Sequence, residues 1–575
     1  MSLNFRTFQS AGRISSHIIP GAYSRISSVK GAAGLASANN GVVMGRSTGG
    51  EPTTLLQFNT IAEAVSVLRG GELMEAVRFA FDPGGGLNPQ RVFAVRVNSA
   101  LQAARNLVDG SADPMIELRS LDYGIYTNQI KATLEDGTTA GKRLTVEFQS
   151  DEPEVFDDII RRSFTIEYTA GACTMTIVNS SGAQTLTTSA APLGIDLNDF
   201  PTIGALAAYI NDQTDFVCTP FSGQENASPL ELDAVTTVDI NTAPYVAQST
   251  FQAIIDAVNA GSARLGASAV NAANDRVIPE NLTTSYLTGG SEGSYTASEW
   301  SDALEMLEAE DVQFISTPSS DAAVHASIST HCSMTSSVTG RKERQFLLGA
   351  PWKTGTASTE IANAVSAAQD LNSFNGLYAF NGGRRRDVNG VIRNYGASYA
   401  AVMMMGQKMA LAINQPLTFK ELNFIDLEWS LTESQIENLL KNGVAAVNYA
   451  PNGRPRLVRQ LNTYQTNDLK YNEFSVVTEM FFASRDLRIF LENRFIGQPG
   501  TSLTGGVLRG AVESRLQLYE ELGVFIRHPV EERSWWNVDI SISGDTVFID
   551  YDAYVTLPVN FQFVTSHFHE MVATL

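Results

Sequence analysis

The chain has 575 residues, of which 43% are hydrophobic and 18% charged, and its formal net charge is −21. That length exceeds what one hydrophobic core organises, so about two to four domains are expected, and the composition excludes a disordered chain. The acidic balance argues against nucleic acid as a general partner. No apolar run approaches the roughly 18 residues of a membrane span, and Met1–Pro20 lacks the apolar centre of a signal peptide, so folding in a cytoplasm is expected. Three cysteines (Cys173, Cys218, Cys332) are too few and too scattered for a disulfide framework or a metal pair; three reduced thiols are expected.

The charge is unevenly spread. Residues 1–50 contain no Asp or Glu but carry Arg6, Arg13, Arg25, Lys30 and Arg46. Residues 111–240 hold 20 acidic and 6 basic residues, a net of −14. A basic N-terminal segment on an acidic protein can dock on another copy of itself, or be a solvated tail.

In chain order, residues 1–20 read as an extended arm, because Asn4 to Gln9 alternates on a period of two and no helical stripe follows. Pro20-Gly21 marks a turn. Val42 to Gly45 and Arg91 to Val97 read as strands flanking a helix at Ile61 to Leu68, which suggests an α/β layer. From 111 to 285 Thr, Ser, Asp and Gly dominate, with alternating runs such as Leu144 to Phe148 and Phe164 to Tyr168 and a helix at Ile203 to Ile210. This predicts a β-rich, acidic inserted domain. Helical patterning resumes at Trp300 to Leu307, strands are expected at Val312 to Ser316 and Gln345 to Leu348, and helices at Ile361 to Leu371 and Tyr399 to Ile413. The last is apolar enough to be buried on most sides, with Met403-Met404-Met405 as core filler.

The C-terminal part has the clearest local grammar. Thr432 with Gln435 forms a capping box, Ile436, Leu439 and Leu440 the buried stripe, and Gly443 the stop. A hairpin follows around Pro451-Asn452-Gly453. Helices are predicted near 472–492 and 506–522, then strands at 538–542 and 546–555 about a Gly544-Asp545 turn. Val559 to Val564 alternates cleanly and, as a terminal strand with one apolar face, needs a sheet to join.

No catalytic constellation emerges. Gly84-Gly85-Gly86 and Gly289-Gly290 lack the flanking residues of a phosphate cradle. His567-Phe568-His569 offers two imidazoles but no third ligand, so no metal and no cofactor are expected. His331-Cys332 are sequence neighbours, which does not make a nucleophile and base. Arg384-Arg385-Arg386 lacks interleaved aromatics and reads as a loop reaching another copy of the chain, not as a nucleic-acid patch.

Several of these runs, in this order, resemble the contractile tail sheath proteins of myophages and related injection machines. Ile19 to Tyr23 resembles the "PGVY" start of that family, Gly41 to Gly45 its first core strand, and Arg91 to Val97 its "vyvvRV" strand. Tyr123 to Ile130 is similar to "PGxxGNxI", with Tyr123 in place of Pro and Thr127 in place of the second Gly. Leu287 to Gly293 resembles "LxGGxdG", Asn438 to Val447 "LxxxGvxxi", and Phe495-Ile496-Gly497 the "fiG" before the last long helix. The ordered set spans about 20–135 and 285–530; the insertion at about 136–285 matches none of these motifs.

The resemblance implies a multidomain α/β and α+β fold. Its expected parts are an extended linking arm (1–22), an α/β sheath core discontinuous in sequence (23–110 and 286–416), the β-rich acidic insertion (111–285) on the outer surface, and an α+β domain facing the tube (417–575) with a terminal strand arm at about 556–575. It implies a non-enzymatic virion component, assembled in the host cytoplasm. The component would form six-fold rings stacked into a helical tube around the inner tail tube, contracting on a baseplate signal, with a tail terminator as a further partner. Nucleic acid and membrane insertion are not expected. Subunits would be linked by arm strands added to a neighbour's sheet, with Phe5, Arg6, Phe8, Arg13, Val559, Phe561 and Phe563 as contacts. The helix 506–522 would meet the tube through Arg509, Glu513 and Arg515, unless it is an ordinary core-covering helix. A sheath of a phage-like bacteriocin or other contractile injection system shares the architecture. A β-rich surface-layer protein is the reading from another class, and an unrecognised hydrolase a further one.

Overall fold

Runs such as Gly41-Val-Val-Met-Gly45 and Gln345-Phe-Leu-Leu-Gly349 have no polar alternation, which is the pattern of strands covered on both faces. The computed structural model of the protein describes residues 6–10, 13–17, 35–190, 193–270, 272–464, 466, 468–497, 505–560, 562 and 565–566. By compactness the chain divides into two units, one of residues 1–47, 52–98 and 295–575, the other of 48–51 and 99–294.

The first unit is built on an eight-stranded sheet. Its parallel part runs Val444–Tyr449, Gly376–Phe380, Gln345–Gly349, Phe314–Ser316, Gly41–Gly45, Val92–Arg96. Short antiparallel strands close the two edges, Pro455–Leu457 at one and Leu55–Phe58 at the other. Helix Ala397–Ala410 packs on this sheet with Met403, Met404 and Met405 wholly buried. Each such side chain contributes about 1.5–3 kcal/mol of burial. Gly406 lets that helix touch helix Glu72–Phe81, since a Cβ there would lie 2.1 Å from the Ala80 carbonyl oxygen. Thr432 and Gln435 form the expected capping box.

The second unit is β-rich, as expected. It holds two four-stranded and two three-stranded antiparallel sheets, with helices Ile203–Asn211 and Thr250–Gly261. Its apolar residues gather in two clusters, one around Leu118, Val146 and Ile254, the other around Ile166, Ile177 and Leu206. The two glycine-based runs at its ends clasp each other: the Asn128 side-chain amide donates to the Gly290 carbonyl and accepts from its N–H, both at 2.8 Å. Thr127, standing where the resembled motif has glycine, is buried, and its hydroxyl is satisfied by Gly124 O at 2.7 Å.

Four expectations need correction. The insertion is 99–294 with 48–51 rather than 111–285, because Ala104–Val108 pairs with Pro114–Ser120 and Leu282–Tyr286 with Ile130–Asp136. No boundary falls at 416/417, since Val444–Tyr449 continues the eight-stranded sheet. The arm is not a single extended strand: Arg6–Ser10 pairs antiparallel with Arg13–His17 as a ribbon that joins no other described strand. Arg384-Arg385-Arg386 is not a loop but lies on strand Gly383–Arg386, and its guanidinium groups are used internally. Arg385 meets Asp82 at 2.5 Å, Arg384 pairs with Asp426, and Arg386 donates to Gly390 O.

His331 and Cys332 lie buried in helix Ala322–Thr335. The Arg344 guanidinium donates to His331 Nε2 (2.6 Å) and to the carbonyls of Leu307 and Glu310, closing the end of helix Ala297–Glu308. Burial, and then the Arg344 charge, pushes the imidazole down from 6.5 to about 4. An imidazole that binds its proton less readily folded than unfolded contributes stability that is complete above pH ~6.5 and lost as the pH falls towards 4. The loss across that window should be about 3 kcal/mol. All five tryptophans lie in the first unit, so their fluorescence follows it alone. In urea titrations read this way, His331→Gln should show a smaller drop between pH 6.5 and 4 than the unsubstituted protein. Equal drops would mean that His331 is charged in the folded state.

Candidate assembly site: the roots of the two arms

Helix Phe474–Phe495 is apolar along most of its first half, yet it buries charged residues within and just beyond it: Glu479, Arg485 and Asp486, with Glu473 as its N-cap. A buried charge without partners costs several kcal/mol, so each must be matched. The partners include two segments remote in sequence, residues 36–37 and 556–560.

Asp486 accepts four hydrogen bonds. Arg515 donates Nε at 2.6 Å and Nη2 at 2.8 Å, Tyr519 its hydroxyl at 2.6 Å, and Ala36 its backbone N–H at 2.6 Å. Arg485, one residue back, donates to the carbonyls of Ser37 and Glu343. The Glu343 carboxylate takes Arg488 at 2.7 Å. Gln345, on a central strand of the sheet, donates to Phe474 O and accepts from Thr478. The helix is thereby fixed to the sheet and to residues 36–37 at once.

At the other end, Glu479 accepts the Thr556 N–H at 3.1 Å, and the Thr556 hydroxyl donates to Gly523 O at 2.9 Å. Glu473 takes the Asn560 side-chain amide at 2.9 Å and Arg459 at 2.6 Å. Burial raises both carboxyls above the ordinary carboxylate range, opposed by Lys408 for Glu479 and by Arg459 for Glu473. Lys408 is wholly buried and donates to the carbonyls of Ile413 (2.7 Å) and Gln415 (2.9 Å). Leu557 and Val559 are exposed, Val559 at 90%. The terminal segment is thus held by polar groups, with its apolar side chains turned out.

The last helix, Gly505–Glu521, buries Leu508, Val512, Leu516 and Tyr519 against this region. Arg509 is exposed and Glu513 half-buried, 3.9 Å apart. Arg515 is not: three and four residues from Val512 and Ala511, it shares their inward stripe and meets Asp486. Its assignment to an outward polar surface is therefore withdrawn. Arg6, Phe8 and Arg13 lie on the N-terminal ribbon, where Arg6 is opposite His17 and Phe8 opposite Ser15. Phe5, Phe561, Phe563 and the His567/His569 pair lie outside the described residues. Sequence reading missed Glu473, Glu479, Arg485 and Asp486. The available signal was a carboxylate, Glu479, set inside the apolar run Phe474 to Phe482.

The crevice where ligands bind in open α/β sheets lies where the strand order reverses, between Gly41–Gly45 and Phe314–Ser316. Here Pro318 and Leu73 pack over Gly45, at 3.2 and 3.5 Å from the position of a Cβ. Among the described residues no group of three His, Cys, Asp or Glu side chains is placed to hold a metal. An open groove of about 450 Å³ in the second unit is lined by residues including Phe156, Asp157, Arg161 and Phe221.

Residues 293–463, which contain five strands of the eight-stranded sheet, match the family described as the phage tail sheath protein central domain. The chain is 24% identical over 580 aligned residues to the tail sheath protein of Bacillus phage SP01, covering 96% of this chain and 95% of that one. The chain is similar to phage tail sheath proteins over most of its length. It is 26% identical to the tail sheath protein of Staphylococcus phage Twort, over 82% of this chain and 84% of that one. Solved sheath tail proteins from Desulfitobacterium hafniense and Listeria innocua share the fold. Their TM-scores are 0.52 and 0.53, at 13% and 12% identity, covering 93% and 91% of this chain and 96% of each of theirs.

Replacing Arg515 with Leu leaves Asp486 buried beside only neutral donors and should cost about 3–5 kcal/mol. Reversing Arg509 to Glu, on the solvated face, should cost less than about 1 kcal/mol. Urea unfolding followed by tryptophan fluorescence separates the two. A loss for Arg515→Leu no larger than for Arg509→Glu would return Arg515 to the surface.

Proposed function

We propose that this chain is the structural subunit of a contractile phage tail sheath, forming a helical tube around an inner tail tube and shortening to drive that tube through a host envelope. The observation that carries this reading is the likeness to phage tail sheath proteins over 96% of the chain. On this reading the subunit is non-enzymatic, its partners are other copies of itself, a tail tube protein, and baseplate and terminator proteins, and its place is the virion tail.

Neighbours would be joined by strands contributed from residues 1–22 and 556–575. Ladder hydrogen bonds are each worth about 0.5–1.5 kcal/mol net and survive rigid-body rotation of the parts they connect. The two-stranded sheet Trp535–Ser543 with Thr546–Ala553 supports this, since it joins no third described strand and its strand edges can accept one. Arg509 and Glu513 are the polar pair on the last helix assigned to tube contact, weak enough to break during contraction. The acidic second unit would face outward, where like charge keeps particles apart.

Negative-stain microscopy of the concentrated protein should show long hollow tubes that vanish when residues 1–20 are removed. Dispersed full-length subunits that also fail to assemble on the tube protein of the same gene cluster would overturn the reading. Ser99 N–H donates to Ser294 O at 2.9 Å, so a short Gly-Ser linker can replace 100–293. Tubes should still form from that variant; their loss would make the acidic unit an interface.

A further inference from the structure

Four of the groups that hold the two arm roots sit on, or cap, one helix. Glu473 and Glu479 take the C-terminal root, Arg485 and Asp486 the N-terminal root, within 14 residues, about 20 Å of helix. Three of the four contacts go to backbone, at Ser37 O and the N–H groups of Ala36 and Thr556. They therefore fix the path of the chain independently of the side chains it carries. Those to Ser37 and Ala36 involve charged side chains away from water, where such bonds are strongest and most directional, while Glu479, whose carboxyl burial pushes up to about 9, accepts the Thr556 N–H on a carboxyl oxygen. On the C-terminal side Leu557 and Val559 face outward, and the other attachments of the root are the Thr556 hydroxyl to Gly523 O and the bridge of Val555 with Phe525.

We propose that helix Phe474–Phe495 is a shared mooring for both terminal arms, with Asp486 and Arg485 positioning one root and Glu479 and Glu473 the other. A copy held by the first arm is then joined through this one helix to a copy held by the second. The path bypasses the strands of the eight-stranded sheet, which Gln345 and Glu343 tie to the helix from the side. The mooring also sets the reach of each arm, which begins before Ala36 and after Asn560. The inference rests on the proposed role of the arms as strand donors, but its first test does not.

The three native cysteines are all buried, so a spin label at Leu35→Cys or Val559→Cys reports one root at a time. Thr556→Pro removes the N–H that Glu479 accepts together with the hydroxyl bonded to Gly523 O, so Thr556→Val, which removes the hydroxyl alone and should leave the spectrum at 559 slow, is its control; Ala36→Pro removes the N–H that Asp486 accepts, and none of these alters the helix. In the unassembled protein, Thr556→Pro should convert the slow component of the spectrum at 559 to a fast one and leave position 35 unchanged. Ala36→Pro should do the reverse. Unchanged spectra in both overturn the mooring, whatever the assembly behaviour. In tubes, roots acting in series predict that the double variant dissociates at the same urea concentration as the weaker single variant. Additive weakening would show two independent attachments and overturn the shared path. If the unsubstituted protein forms no tubes even with a tube protein, the strand-donor reading fails while the spectra still decide the mooring.

Discussion

A carboxylate shut away from water has to be matched by donors, and at Asp486 the matching draws three stretches of chain to one point. The desolvation of such a group costs several kcal/mol, and a single partner in poor geometry would not offset it. Four donors do, and they come from the last helix (Arg515, Tyr519) and from the segment that leads to strand Gly41–Gly45 (Ala36). The arrangement is specific because it is expensive to get wrong. A slip of the last helix by one residue would strand both Asp486 and Arg515. The same reasoning applies to Lys353 and Glu428, buried at 2.7 Å against Phe380 and Trp429, and to Arg344 at the end of helix Ala297–Glu308. Apolar burial supplies the bulk of the cohesion, while these pairs fix which surfaces meet.

That division of labour matters in a chain whose main sheet is discontinuous. Strands Gly41–Gly45 and Phe314–Ser316 are neighbours across some 270 residues, and only three register pairs connect them. Contacts this distant in sequence form late and depend on the surroundings being settled. Asn40 bridges the gap directly: its N–H donates to Gln313 Oε1 and its side-chain amide to Asp311 O. Residues 99–294 carry their own two apolar clusters and so need not borrow burial from the first unit.

The sequence was legible wherever polarity and position agreed. Apolar runs bounded by glycine marked the buried strands at 41–45 and 345–349, and Thr432 with Gln435 marked a helix start to the residue. Reading failed where a polar letter lay inside. Helix Ala322–Thr335 buries His325, Ser329, His331 and Thr335 beside Val324, Ile328 and Cys332, so polar residues interrupt its apolar stripe. Arg385 and Arg515 were taken for surface because their partners, Asp82 and Asp486, are 303 and 29 residues away. Glu479 was passed over for the same reason. The pattern of a single helix can show that a charge lies on an inward stripe; only the fold shows what meets it.

On the proposed reading, the roots of the arms separate two tasks that one strand often combines. Thr556 and Asn560 turn polar atoms to their own body, and Leu557 and Val559 turn apolar side chains to solvent. On a period of two, Phe561 and Phe563 follow Leu557 and Val559 on the same side of the sequence pattern. On the proposed reading, the polar edge orients the arm and the apolar row supplies the affinity for a neighbour. Polar mooring alone would leave the apolar row exposed, and apolar burial alone would let the arm fold back on its own body. A subunit made to join others needs the first to hold in isolation and the second to be satisfied only in company.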